Sequence, residues 1–241
     1  MKTTGDNITA ANADWKFSGD MVDSFDDHVS KSVPFYKEGH NLICQLSDYF
    51  IKKDSFVYEL GCSTGTLTFN LYDHNRIKEG VHFFGYDIEG DMINKANEKL
   101  NKFNITTGEI QFFDSDITRI EFEPSDLIVC YYTLQFIHPK ERQNLVNRIY
   151  ESLNWGGAFI LFEKVRFPDA RFQDMITTLY NDYKLTKGYS CEEIIGKTRS
   201  LKGILEPFSS NANIDMLKRA GFLDICTIQK YLAFEGFLAI K

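Results

Sequence analysis

The chain has no run of eighteen apolar residues, and its opening MKTTGDNITAANADW lacks the apolar core of a secretory leader. A membrane span and an exported destination are therefore not expected, and the chain reads as soluble and cytoplasmic. Positive charge is short as well: 27 Lys and Arg stand against 34 Asp and Glu, a formal net charge of −7. That balance opposes broad electrostatic capture of nucleic acid, so a small molecule is the expected direct partner. The five histidines, His28, His40, His74, His82 and His138, show no paired ligand spacing with one another or with cysteine, and no metal is expected. Cys44, Cys62, Cys130, Cys191 and Cys226 are odd in number and widely spaced, which suits reduced thiols rather than a disulfide frame. Neither an internal repeat nor a low-complexity tract is found. With 241 residues, 43% of them hydrophobic and 25% charged, residues 1–241 are expected to form one α/β domain.

What the chain does have is the stretch SFVYELGCSTGTLTFN, Ser55 to Asn70. Phe56, Val57, Tyr58 and Leu60 make a strand-like run, Gly61 to Gly65 are small and turn-permissive, and Thr66 to Leu71 read as a helix start. A strand, a tight loop and a helix in that order let a ligand approach backbone N–H groups that side chains would otherwise screen. Asp87 follows Gly65 by twenty-two residues and closes the apolar run Val81 to Tyr86. A carboxylate at the end of a second strand can accept from both hydroxyls of a ribose, so the ligand should contain one.

The flanking pieces assemble around that unit. Met1 to Asp14 are polar and aperiodic and are expected to be a mobile tail. Residues 15–51 read as a helical cap: Phe17, Met21, Val22, Phe25 and Val29 recur at helical spacing, Pro34 breaks the helix, and Leu42, Ile43, Leu46, Tyr49 and Phe50 share a face of the next. Strands are predicted at Val81 to Tyr86, Glu109 to Phe113, Leu127 to Tyr131 and Ala158 to Phe162. Helices are predicted at Asp91 to Lys102 and Pro139 to Leu153, with Asn154-Trp155-Gly156-Gly157 as the stop of the latter. Residues 166–207 are charged, tyrosine-bearing and broadly helical, an insertion too long for a plain connection. A helix at Ile214 to Arg219 leads to an antiparallel pair, Leu223 to Lys230 and Phe234 to Ile240.

This order of pieces resembles the class I S-adenosylmethionine-dependent methyltransferases, from Tyr36 to Lys241. KSVPFY at Lys31, YELGCSTGT at Tyr58, YYTLQF at Tyr131, FEKVRF at Phe162, KGYS at Lys187 and TRSL at Thr198 are similar to the carboxy-S-adenosylmethionine synthase branch. The resemblance implies a Rossmann-like seven-stranded fold, mostly parallel with a C-terminal antiparallel hairpin, in an enzyme commonly homodimeric. It implies S-adenosylmethionine, S-adenosylhomocysteine or the carboxylated cofactor as ligand.

Carried onto this chain, it places Gly61, Cys62 and Ser63 against the methionine part and Asp87 and Ile88 beside ribose and adenine. Asp116 would accept from the adenine amino group, the Ile117 N–H would donate to the ring, and Tyr36 would close over the methionine end. Arg199 would face the extra carboxylate, reached by one inserted residue after KGYS, and Tyr131 stands where the synthases have asparagine. That substitution favours plain methyl transfer to a small-molecule acceptor as the leading expectation. Carboxy-S-adenosylmethionine synthesis from S-adenosylmethionine and prephenate, in which a sulfonium ylide captures carbon dioxide, is the alternative. A non-catalytic cofactor-binding subunit is a third reading. A nicotinamide dehydrogenase is the weakest, since it needs a second mononucleotide half. Tyr131, His138 and Glu163 are the candidates for a general base, and Glu163 with Lys164 for an acceptor-side pair.

Overall fold

The computed structural model describes residues 2–4, 9–11, 13, 15, 21–103 and 108–241. In chain order the elements are β1 (Lys2–Thr3), β2 (Thr9–Ala10), α1 (Met21–Ser32), α2 (Tyr36–Ser47), β3 (Phe56–Leu60), α3 (Thr66–Asn75), β4 (His82–Asp87), α4 (Gly90–Phe103), β5 (Ile110–Asp114) and β6 (Ser125–Tyr131). A 3-10 turn at Leu134–Phe136 follows, then α5 (Pro139–Ser152), β7 (Leu153–Lys164), α6 (Ala170–Thr186), α7 (Cys191–Ser200), α8 (Ser210–Ala220), β8 (Asp224–Tyr231) and β9 (Phe234–Ile240).

Seven strands form one sheet in the order β5-β4-β3-β6-β7-β9-β8. The first five run parallel; β9 is antiparallel to β7 and β8 antiparallel to β9, as expected. β6 is buried on both faces because SDLIVCY alternates between two cores. Leu127 and Val129 pack with Ile43 of α2 and Leu67 and Leu71 of α3. Ile128 and Cys130 pack with Leu145, Val146 and Ile149 of α5 and Met216 and Leu217 of α8. Helices on both faces thus leave the ends of β3 and β6, where the strand order reverses, as the open edge.

Local chemistry sets the helix ends. Pro139 opens α5, and Ser190 and Glu193 close a reciprocal capping box on α7. Ser209 Oγ accepts from the Ala212 N–H at 3.2 Å to cap α8. Among the described residues no helix is long and apolar enough to cross a membrane.

Three expectations change. The first fourteen residues are not uniformly without structure: β1 and β2 pair antiparallel, Lys2 opposite Ala10, and β1 packs on α7. Residues 1, 5–8, 12 and 14, and the expected apolar position Phe17, lie outside the described residues. Tyr49 does not share the buried face of α2, since it lies beyond the helix and is 83% exposed. Asn154-Trp155-Gly156-Gly157 is not the helix stop. Leu153 already turns extended and pairs with Ser125, and the next pair is Leu127 with Ala158. The four residues take up that register shift at the start of β7, with Gly157 too close to the Asn154, Ser125 and Asp126 carbonyls to carry a Cβ.

Candidate functional site

The loop after β3 sits where the strand order reverses. Gly61, Ser63 and Gly65 have φ of 79°, 49° and 74°, the left-handed region. At Gly61 a Cβ would strike the Thr133 side chain, so glycine is required on steric grounds too. The Gly61 and Cys62 N–H groups donate to the Tyr86 carbonyl at 2.7 and 2.9 Å, which folds the loop back over β4. Asp87, the last residue of β4, fixes it further: Oδ2 accepts from the Ser63 N–H at 2.8 Å and Oδ1 from the Glu89 N–H at 3.0 Å. Burial raises the Asp87 pKa even though these N–H donors oppose it.

This loop opens into a cleft of about 990 Å³. Tyr36, Gly61, Cys62, Ser63, Asp87, Ile88, Asp116 and Ile117 all line it. Ile88 is 65% exposed there, a free apolar face of the kind a flat base can cover. Asp116 Oδ1 accepts from the Thr118 N–H at 2.9 Å and from its hydroxyl at 2.7 Å, and these bonds hold its carboxyl below the usual range. The Cys62 thiol is pushed up by burial and is no nucleophile.

The candidate bases fare differently. Tyr131 lines the cleft, but its hydroxyl donates to the Tyr36 carbonyl at 2.7 Å and burial pushes its pKa far up, so it is a scaffold donor and not a proton acceptor. His138 lies apart from the cleft lining: it is the exposed N-cap of α5, its Nδ1 accepting from the Lys140 N–H at 3.3 Å. Glu163 is buried, its Oε1 has no hydrogen-bond partner among the described residues, and desolvation raises its pKa well above normal against the opposing field of Arg142. Glu163 and Lys164 do not act as a pair, because only Lys164 lines the cleft. Arg199, exposed in the last turn of α7, does line it.

Other cleft residues were not singled out from the sequence. Asp26 of α1 accepts from the Thr64 hydroxyl at 3.0 Å, the Thr66 hydroxyl at 3.0 Å and Lys99 Nζ at 3.0 Å, joining α1 to the Gly-rich loop and α4. Its signal was legible: it falls on the stripe of Val22, Phe25 and Val29, where a carboxylate is out of place. Glu59 accepts from the Thr68 hydroxyl, and burial raises its carboxyl to about 8. Lys197 Nζ contacts His28 Nε2 at 2.5 Å and donates to Ser32 Oγ at 2.9 Å, tying α7 to α1. Lys184 of α6 had no sequence signal, since a lysine near a helix end ordinarily faces water.

Charge divides along the cleft by segment. Asp26, Asp87 and Asp116 come from the chain up to β6, with Glu59 beside them kept neutral by burial at neutral pH; Lys164, Arg166, Lys184, Lys197, Arg199 and Lys202 come from β7 onward, where Glu206 is the acidic exception. A ribose-bearing sulfonium with a free amino group fits the first set, in a loop that requires glycine at positions 61 and 65.

A family model described as a methyltransferase domain matches residues 57–157. The carboxy-S-adenosyl-L-methionine synthase of Campylobacter lari is 35% identical over 227 residues, 94% of this chain and 94% of the relative. That of Staphylococcus epidermidis is 34% identical over 228 residues, 94% of this chain and 97% of the relative. Human N-acetylserotonin methyltransferase, solved in complex with S-adenosylmethionine, superposes with a TM-score of 0.60 at 17% identity, covering 92% of this chain and 55% of that one. That likeness is one of fold. The identity and coverage of the curated relatives decide the rest: the chain belongs to the carboxy-S-adenosyl-L-methionine synthase family of S-adenosylmethionine-dependent enzymes.

Proposed function

We propose that this chain makes carboxy-S-adenosyl-L-methionine from S-adenosylmethionine and an anionic carboxylate donor of the prephenate type. The observation that carries the reading is the charge of the cleft lining, to which the chain from β7 onward contributes six cations, Arg199 among them, and one acid. A neutral methyl acceptor needs a proton acceptor and no cations; an anionic donor needs the reverse. Plain methyl transfer draws support from Tyr131 standing where the synthases have asparagine, but the Tyr131 hydroxyl donates to the Tyr36 carbonyl and offers that reading no proton acceptor.

Bound in the cleft, S-adenosylmethionine would supply an acidified methyl group that exchanges a proton for carbon dioxide, while prephenate loses carbon dioxide and hydroxide to give phenylpyruvate and the hydroxide leaves with the proton as water. The chain's own contribution is placement. Asp87 accepts from the ribose, Asp116 and the Ile117 N–H hold adenine, and the close-packed backbone of Gly61 to Ser63 and the Tyr36 ring flank the methionine end. The Arg199 guanidinium suits a bidentate contact with the new carboxylate. α1 and α2 act as a cap that keeps water from the reacting carbons.

Incubation with S-adenosylmethionine and prephenate, followed by mass spectrometry, tests this. The expected product is heavier than S-adenosylmethionine by one carbon dioxide, and its absence overturns the reading. Arg199→Ala should bind S-adenosylmethionine normally and form none of it. The same reading carries a cytoplasmic homodimer that acts on a small molecule without touching nucleic acid directly. The free buried thiols of Cys44, Cys62 and Cys130 suit a reducing compartment. Phe172, Met175 and Leu179 give α6 an exposed apolar stripe for a second copy. Gel filtration at monomer mass would remove the dimer.

A further inference from the structure

Lys164 ends β7 and Lys184 lies in the last turn of α6, yet both reach the same tyrosine. Their Nζ atoms stand 4.7 and 4.5 Å from the centroid of the Tyr180 ring. The ring is held in place, because the Tyr180 hydroxyl donates to the Ser32 carbonyl at 2.8 Å. Both lysines line the cleft, and Lys184 is only 6% exposed.

Neither ammonium has a carboxylate within ion-pair distance among the described residues. The neighbouring Glu163 makes no ion pair with either lysine, and burial raises its carboxyl well above the usual range, which makes it a poor counter-charge. Two like charges at one ring, one buried and one half-buried, are costly, and a cation–π contact repays only part of the desolvation. Burial, together with the repulsion of neighbouring cations, lowers both lysines to about 8. The arrangement lacks one thing electrostatically, an anion to neutralise the two ammonium groups. The walls beside it, Tyr180 and Phe234, suit a planar or aromatic body.

We propose that Lys164 and Lys184 form a carboxylate clamp, separate from Arg199, that holds the side-chain carboxylate of an aromatic or cyclohexadienyl 2-oxo acid against Tyr180. This rests on the anionic donor of the preceding subsection and adds which of its carboxylates goes where. The carboxyl that departs as carbon dioxide must lie toward the cofactor and Arg199. The pyruvyl carboxylate takes no part in bond making, and it is the one the lysines grip.

The probe is phenylpyruvate, which carries that carboxylate and not the departing one. Calorimetry is done on the full chain with S-adenosylhomocysteine present, and KM for prephenate is measured in parallel. Wild type should bind phenylpyruvate, and Lys164→Met and Lys184→Met should each weaken it about tenfold or more, as for loss of a charge-assisted hydrogen bond. The KM for prephenate should rise with kcat changed much less. Lys184→Arg, which keeps the charge, should recover most of the affinity, and unaltered S-adenosylhomocysteine affinity shows that each variant is folded. Wild-type affinity in both methionine variants, or no phenylpyruvate binding by wild type, overturns the clamp. If wild type carboxylates S-adenosylmethionine while the methionine variants keep its KM, the clamp falls and the synthase reading stands. Should wild type bind phenylpyruvate in a lysine-dependent way yet form no carboxylated product, the clamp stands and the synthase reading falls.

Discussion

The Tyr131 phenol donates to the main-chain carbonyl of Tyr36 at 2.7 Å, and the two rings lie 5.0 Å apart. One hydrogen bond thereby joins the end of β6 to the first turn of α2 and sets where the Tyr36 ring stands at the cleft. The approach is close enough that Gly39, one turn along α2, has no room for a Cβ beside the Tyr131 hydroxyl. Tyr131→Phe should cost about 1 kcal/mol of stability, the ordinary worth of a buried hydrogen bond. Affinity for S-adenosylmethionine should fall severalfold as Tyr36 loosens, while the pH profile of turnover keeps its shape. Loss of a limb from that profile would show that Tyr131 does transfer a proton.

Asp87 serves two masters, the loop amides and the ligand. Its carboxylate already accepts from the Ser63 and Glu89 N–H groups. The lone pairs that remain are available to ribose hydroxyls. Asp87→Ala should weaken S-adenosylmethionine binding by about 1 to 3 kcal/mol, and should also lower the melting temperature because buried N–H donors are left unpaired. Calorimetry giving an unchanged dissociation constant would contradict the ribose assignment.

Glu59 yields a prediction whose sign follows from its burial. Its carboxyl is raised from 4.5 to about 8 in the fold. Between those values the folded chain holds a proton that the unfolded chain has released, so stability falls as pH rises through that window. Glu59→Gln keeps an acceptor for the Thr68 hydroxyl and cannot ionise. The variant should match wild type near pH 4.5 and gain on it by up to about 1.4 kcal/mol per pH unit toward pH 8. Urea denaturation at both ends of the range measures the difference, and parallel curves would place an ionised Glu59 in the folded protein at neutral pH.

What could be read from the sequence was whatever acts locally or through strand period. SFVYELGCSTGT writes its own strand, bend and helix start within a dozen residues, and Asp87 follows from the length of one βαβ crossover. β6, all apolar from Leu127 to Cys130, declares a strand buried on both faces. The lysines at Tyr180 belong to the other kind: Lys164 and Lys184 meet only because α6 folds back over the end of β7, and no spacing in the chain encodes that return. Tyr131 misled for a related reason. An aromatic residue at a strand end is equally fit to reach a ligand or a neighbouring helix, and the choice is made by α2, ninety-five residues upstream.

Asp26 and Asp23 make the last prediction a comparison within one helix. Asp26 takes hydrogen bonds from Thr64, Thr66 and Lys99, and Lys99 Nζ itself donates to both threonines at 2.8 Å, so the cluster is closed and partly buried. Asp23 meets Lys95 at 2.5 Å, but its side chain is 81% exposed. An exposed pair is screened and contributes little, whereas removing one member of a partly buried cluster strands the others. If α1 is what retains the ligand, Asp26→Ala should speed S-adenosylmethionine dissociation by about tenfold, a loss of roughly 1.4 kcal/mol in retention. Asp23→Ala should leave the rate where it was. Stopped-flow displacement resolves the two, and equal rates in both variants would mean that the ligand leaves by a route that does not disturb α1.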